Sequence, residues 1–245
     1  MELYLITGFL GAGKTTFLKN FARQFAGRRL RLEFGRAGVD GTLLRELDAA
    51  LDKISNGSIF CACRLDQFEA ALEQAAADAP DVVLVEASGL ADPTNVRRVL
   101  AQFPAVSYQG SVCVADAARL EKVFSTARAC PRQLAVSSLV LLNKTDLATE
   151  AQCAEAKALI LRANPAARIR RTQFGRFEPE WLSLIVPDVD VDEVLDMPDI
   201  TLQKAVLQIR PTMPFAALQK CLVQLAGETW RIKGFVRVPE GIFYV

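Results

Sequence analysis

The sequence predicts an α/β fold: a mainly parallel sheet flanked by helices, with a small α+β unit at the C-terminal end. Two observations lead there. Short apolar runs alternate with segments whose apolar residues recur at helical spacing over most of the chain, the pattern that lays helices on both faces of a parallel sheet. The alternation breaks at an acidic, proline-bounded stretch, beyond which come a strand, a helix and two more strands. A hydrophobic share of 51% of the 245 residues leaves ample material for a core of this size.

The strand candidates of the first part are residues 3–7, 30–34, 82–86, 111–115, 139–143 and 167–170. Between them, Phe17, Leu18, Phe21, Ala22 and Phe25 share one face of a helix, and amphipathic segments run through 43–51, 65–79, 96–103 and 151–163. Residues 187–199, from Pro187 through an acidic run to Pro198, read as a linker. The expected domains are therefore 1–186 and 200–245. The second carries a strand at 201–209, a helix at 215–225 and strands at 229–238 and 241–245. At roughly 50 residues it is marginal as an independent core.

Bulk properties exclude several classes of function. The 29 basic and 28 acidic side chains nearly cancel, which argues against nucleic acid as a partner. No apolar run reaches the ~20 residues of a membrane span. The first residues carry no basic run or cleavage site, so the expected compartment is the cytoplasm. The six cysteines are dispersed, several within apolar stretches, which suits reduced and buried thiols. Histidine is absent from the sequence, which removes the commonest metal ligand and the commonest general base.

Gly8-Phe9-Leu10-Gly11-Ala12-Gly13-Lys14-Thr15 fits G-x-x-x-x-G-K-[ST] in full, between an apolar strand and an amphipathic helix. The spacing marks a P-loop NTPase. Gly8, Gly11, Ala12 and Gly13 can turn backbone N–H groups around phosphate oxygens, and the helix start at Lys14, Thr15 and Thr16 adds its positive end. Lys14 would reach the β- and γ-phosphates, and the Thr15 hydroxyl would ligate Mg²⁺. A second carboxylate is expected at the end of a neighbouring strand, and Val82-Val-Leu-Val-Glu86 supplies it. Three residues on, Gly89 can approach the γ-phosphate through its N–H and couple the following loop to nucleotide state. Glu33 at the close of the second strand, with Asp40 beyond Gly38, fits a first switch segment. Thr15, Glu33 and Glu86 are the candidates for Mg²⁺; Lys14, Glu33, Asp40 and Glu86 are the candidates for catalysis, and the sequence does not divide the carboxylates' roles.

An apolar strand runs into Asn143-Lys144-Thr145-Asp146, an N-K-x-D motif. Aspartate can accept from the ring N–H and the exocyclic amine of guanine together, whereas adenine would leave it unpaired. Asn143 would tether the loop, and the Lys144 stem could lie along the base. GTP is accordingly expected over ATP.

These motifs in this order resemble the CobW-like group of metal-handling GTPases, relatives of UreG and HypB. The likeness covers nearly the whole chain. Glu86-Ala-Ser-Gly-Leu-Ala-Asp-Pro93 is similar to the group's E-x-[ST]-G-x-A-x-P segment, and Asp116-Ala117 follows the next strand as in the group. Asn164-Pro165, Ile169, Thr172 and Gly175 resemble its base-side loop, and Trp230-Arg-Ile-Lys-Gly-Phe-Val236 its C-terminal R-x-K-G-[FV] strand. The resemblance implies a slow GTPase whose nucleotide state serves the assembly of a metallocentre or cobalamin-dependent partner, with a metalloprotein or corrinoid-type client. The group's C-x-C-C motif is reduced here. Asn56-Gly57-Ser58-Ile59-Phe60-Cys61 keeps its last cysteine, and Cys63 follows two residues on. Two thiolates at that spacing can hold Zn²⁺, Co²⁺ or Ni²⁺, but a closed tetrahedral site needs two more ligands, which a homodimer could supply. Three readings follow: a GTPase switch for a metalloprotein or cobalamin system; a GTP-dependent metal carrier using Cys61 and Cys63; and a nucleotide-gated binding module without hydrolysis. With no histidine base and no glutamine in an evident water-positioning place, turnover is expected to be slow until a partner completes the site.

Overall fold

Alternation along the first strand sets the architecture. Leu3 and Leu5 face one hydrophobic cluster, Tyr4 and Ile6 the other, and all four are buried. A strand apolar on both faces belongs at the centre of a sheet covered on both sides. The computed structural model describes residues 1–34, 65–187, 207–209, 213–229, 232 and 234–245.

The strand β1 (Glu2–Thr7) leads through the glycine-rich loop into helix α1 (Lys14–Ala22), which a single 3-10 turn over Arg23–Phe25 extends. There follow β2 (Leu30–Phe34), α2 (Leu65–Asp78), β3 (Val82–Glu86), α3 (Val96–Leu100) and β4 (Ser107–Asp116). Then come α4 (Leu120–Thr126), α5 (Ala129–Ala135), β5 (Leu139–Asn143), α6 (Glu150–Ala163) and β6 (Arg168–Arg171). The sheet order is β2-β3-β1-β4-β5-β6 and every neighbouring pair is parallel. From β1 the chain fills one side of the sheet, then crosses to fill the other. That reversal beside β1 opens a crevice at the carboxyl ends of the strands.

One face is covered by α1 through an aromatic ladder. Phe17 stacks on Phe21 at 5.1 Å, Phe21 meets Phe177 edge-on at 4.9 Å, and Tyr4 meets Phe21 edge-on at 5.5 Å, arrangements that favour offset and edge contacts between ring quadrupoles. The other face packs Phe68 and Leu72 of α2 with Val96, Val99 and Leu100 of α3. Thr149 starts α6 with a capping box: its hydroxyl accepts from the Gln152 N–H and its own N–H donates to the Gln152 side chain.

The chain divides into two compact units, Met1–Ile200 and Thr201–Val245. In the second, α7 (Phe215–Glu228) precedes an antiparallel hairpin of β7 (Phe235–Val238) and β8 (Gly241–Tyr244). The Phe215 N–H donates to the Glu240 carboxylate, and its ring lies 4.5 Å from that of Phe243.

The six strands of the sheet and α1, α2, α6 and α7 lie where the sequence predicts them, within a few residues. The differences have physical reasons. Of the strand expected over 229–238, Phe235–Val238 form β7, whereas Thr229 finishes α7 instead, its N–H and hydroxyl both donating to the Leu225 carbonyl. The helix expected over 96–103 ends at Leu100, and β4 starts four residues early, its Ser107 in register with Glu2. The helices α4 and α5 had no counterpart in the sequence reading. The expected helix at 43–51 and residues 188–199 of the expected linker lie outside the described residues, as do residues 201–206 of the expected strand; Leu207–Ile209 form no regular element.

Candidate nucleotide site

The glycine-rich loop sits at the carboxyl end of β1, between β3 and β4. Gly8 takes φ +132°, and a Cβ there would stand 2.2 Å from the Val114 carbonyl oxygen, so only glycine lets the loop leave the sheet at this place. Gly11 and Gly13 also have positive φ, and Ala12 between them is buried. Helix α1 begins directly after Gly13 with no side-chain cap, which leaves first-turn N–H groups for an anionic ligand. Thr16 lies in that first turn, exposed.

Lys14 is 8% exposed, and its ammonium donates to the carbonyls of Gly8 (2.8 Å) and Phe9 (3.2 Å), inside the arc of the loop. The Thr15 hydroxyl donates to Glu86 Oε2 at 3.5 Å. Glu86 ends β3 and is buried. Burial pushes its carboxyl above the usual range, while Lys14 and the Thr15 hydroxyl pull the other way. A desolvated carboxylate facing a hydroxyl is an oxygen pair suited to a hard divalent cation. Glu33 stands in β2 in register with Val85, one step below Glu86. Asp40, Cys61 and Cys63 lie outside the described residues. Among the described residues no group of three or more Cys, Asp or Glu side chains could hold a metal ion.

Gly89 presses on the loop: a Cβ there would meet the Leu10 nitrogen at 2.7 Å. Helix α5 holds it from behind. The Gln133 amide, 1% exposed, donates to the carbonyls of Gly89 (3.2 Å) and Ala91 (2.9 Å), and Arg132 forms an ion pair with Asp92. Burial pushes the Asp92 carboxyl up, but hydrogen bonds from Thr94 and Arg132 outweigh it and hold the carboxyl below its ordinary range. The Gln133 carbonyl accepts from the Thr7 hydroxyl, tying α5 to the end of β1 as well.

Asn143, at the end of β5 and 2% exposed, braces the site in both directions. Its amide donates to the Ala12 carbonyl (2.9 Å), and its oxygen accepts from the Gly175 N–H (3.0 Å). Lys144 adopts the left-handed conformation at φ +60°, and its ammonium reaches the Gly11 carbonyl and Asp116 Oδ2, both at 2.7 Å. The next two residues open a short 3-10 turn, Thr145–Leu147, in which Asp146 is exposed. The structure thus brings the phosphate motif, Glu86, Gly89 and N-K-x-D to one end of one sheet. Asp116 entered the sequence reading only through the family likeness, and Gln133, Arg132, Asn20 and Phe174 were not among the sequence candidates. Gln133 in particular looks like a surface residue until its burial is known.

The nucleotide-binding-domain model of the CobW/HypB/UreG family matches residues 2–171. The chain belongs to that family. Zinc chaperone YjiA of Escherichia coli is 25% identical over 226 residues, 87% of this chain and 66% of that protein. Zinc-regulated GTPase metalloprotein activator 1 of Schizosaccharomyces pombe is 27% identical over 209 residues, 79% of this chain and 48% of that protein. The chain spans about half to two thirds of the length of the curated relatives it matches. The crystal structure of the hydrogenase maturation factor HypB from Archaeoglobus fulgidus superposes with a TM-score of 0.55 at 20% identity, over 75% of this chain and 87% of that one; at that identity the likeness is one of fold. The resemblance to the CobW-like group is therefore borne out, as is the P-loop α/β fold with its small C-terminal α+β unit. Among the described residues no helix is long and apolar enough to cross a membrane.

Proposed function

We propose that the chain is a GTP-binding and GTP-hydrolysing switch that handles a transition-metal ion for a client metalloprotein. The observation that supports it best is the bracing of the phosphate loop by the N-K-x-D strand through Asn143, in a chain of a family whose similar members carry zinc and GTPase in their names. Lys14 and the first turn of α1 hold the β- and γ-phosphates, and Asp146 accepts from the guanine edge. Thr15 and Glu86, with Glu33, hold Mg²⁺; when bound, that ion supplies charge opposing the phosphates' own. Gly89 senses the γ-phosphate through its N–H, and α5 takes up the movement of its loop. Positioning and charge stabilisation dominate phosphoryl transfer, so turnover is slow until a client completes the site.

The names of the relatives favour zinc as cargo, which supports the carrier form of this reading, with Cys61 and Cys63 as thiolate ligands. The test is calorimetric titration of GTP, GDP and ATP with Mg²⁺, repeated with Zn²⁺ present. Guanine-selective binding that tightens with Zn²⁺ and weakens in Cys61→Ser is the expected result. Guanine binding indifferent to Zn²⁺ would leave a switch whose cargo is a protein, a corrinoid-type client included. Lys14→Ala is expected to lose at least a hundredfold in GTP affinity, and an unchanged affinity would remove the phosphate assignment.

A further inference from the structure

We propose that Phe174 is a nucleotide-binding residue whose ring covers one face of the purine that Asp146 reads. The inference rests on the guanine-nucleotide reading above. The loop that carries Phe174 is stitched to the N-K-x-D segment and to α1. The Thr145 N–H (3.4 Å) and hydroxyl (3.1 Å) donate to the Thr172 carbonyl, and the Gly175 N–H donates to Asn143 Oδ1 (3.0 Å). From the other side, the Asn20 amide donates to the carbonyls of Phe174 (3.1 Å) and Gly175 (2.9 Å). Thr172 Oγ1 closes the loop on the Arg176 carbonyl at 2.8 Å.

Between these ties Phe174 takes φ +55°, followed by Gly175 at φ +61°. The left-handed region is common for Gly, Asn or Asp and disfavoured for a bulky side chain, and such conformations persist where surrounding bonds over-determine them. Here Phe174 is 64% exposed, although Phe177 three residues on is buried among Phe17 and Phe21. A large apolar ring kept out of the core by a disfavoured backbone state, on a loop bonded to the base-reading segment, matches a flat aromatic ligand. Stacking on a base face needs no hydrogen-bond code. Asp146 selects the guanine edge; Phe174 adds affinity for the base whatever the phosphate count.

The test compares GDP and GTP affinities of the full chain, wild type against Phe174→Ala, Phe174→Leu, Phe174→Gly and Phe174→Trp. Alanine, leucine and glycine should each weaken both nucleotides about tenfold, within the roughly 5- to 150-fold range of one base–aromatic stack, and leave the GTP/GDP ratio unchanged. Phe174→Gly relieves the backbone, so its melting temperature should not fall while its affinity does. Phe174→Trp should keep wild-type affinity and show indole quenching on GDP addition beyond that of the native Trp181 and Trp230. Wild-type protein without guanine-nucleotide affinity would overturn both this assignment and the function it rests on. Wild-type binding with an equally tight Phe174→Ala, or a Phe174→Trp without added quenching, would overturn the stacking role alone.

Discussion

Both ends of the Asn143 amide are committed, one to the phosphate loop and one to the base-side loop. The residue therefore acts as a strut before it acts as a ligand. Asn143→Asp keeps the size and the acceptor but turns the donor into a carboxylate oxygen facing the Ala12 carbonyl. That substitution buries a charge with one oxygen still accepting from the Gly175 N–H and the other set against the Ala12 carbonyl, acceptor against acceptor, and it should lower the unfolding free energy by about 2–3 kcal/mol. Urea denaturation of the nucleotide-free protein measures it; a change within about 0.5 kcal/mol would show that the strut is dispensable. This role was legible in part, since N-K-x-D after an apolar strand implies a tethering asparagine. The direction of the tether was not legible, because it depends on which loops the parallel order of β1, β4 and β5 sets side by side.

At the scale of elements, α5 is the piece that reading the sequence missed and the site depends on. Its seven residues include Pro131, Arg132 and Gln133, a stretch too short for an apolar periodicity to show. Yet Gln133 is buried with its amide on two carbonyls of the loop after β3, while its Oε1 has no partner among the described residues. Gln133→Leu removes both bonds to the loop and the unpaired oxygen together. Amide hydrogens of residues 88–94 should then exchange roughly tenfold faster, while those of β1 and β5 stay protected. Hydrogen exchange read by mass spectrometry decides it, and unchanged protection of the loop would mean that α5 does not hold it. The strands β1, β3 and β5 were legible for the opposite reason: each is an apolar run buried on both faces.

At the scale of the whole molecule, the sheet's interior governs the response to pH. Burial pushes the Cys113 thiol up to about 12 and raises Cys130 as well. The unfolded chain loses these protons near pH 8.5, so the folded state holds more protons between that value and the folded one. Their contribution to stability is complete below about pH 8.5 and is lost as pH rises toward 12. Unfolding free energy should therefore fall above about pH 9, less steeply in Cys113→Ala, and both thiols should resist alkylation at pH 8 until the protein unfolds. The arrangement of this interior followed from the sequence, and Asp40, Cys61 and Cys63 lie outside the described residues. The bracing runs through Asn143, Lys144 and Thr145, and the exposed Asp146 stands apart from it. Under the proposed reading of Asp146, the choice of purine is one side chain deep, separable from the scaffold. Xanthine presents an oxygen where guanine presents an amine, and an amide at that place would complement it. A protein of this construction could be given a private nucleotide alphabet and switched alone among its relatives.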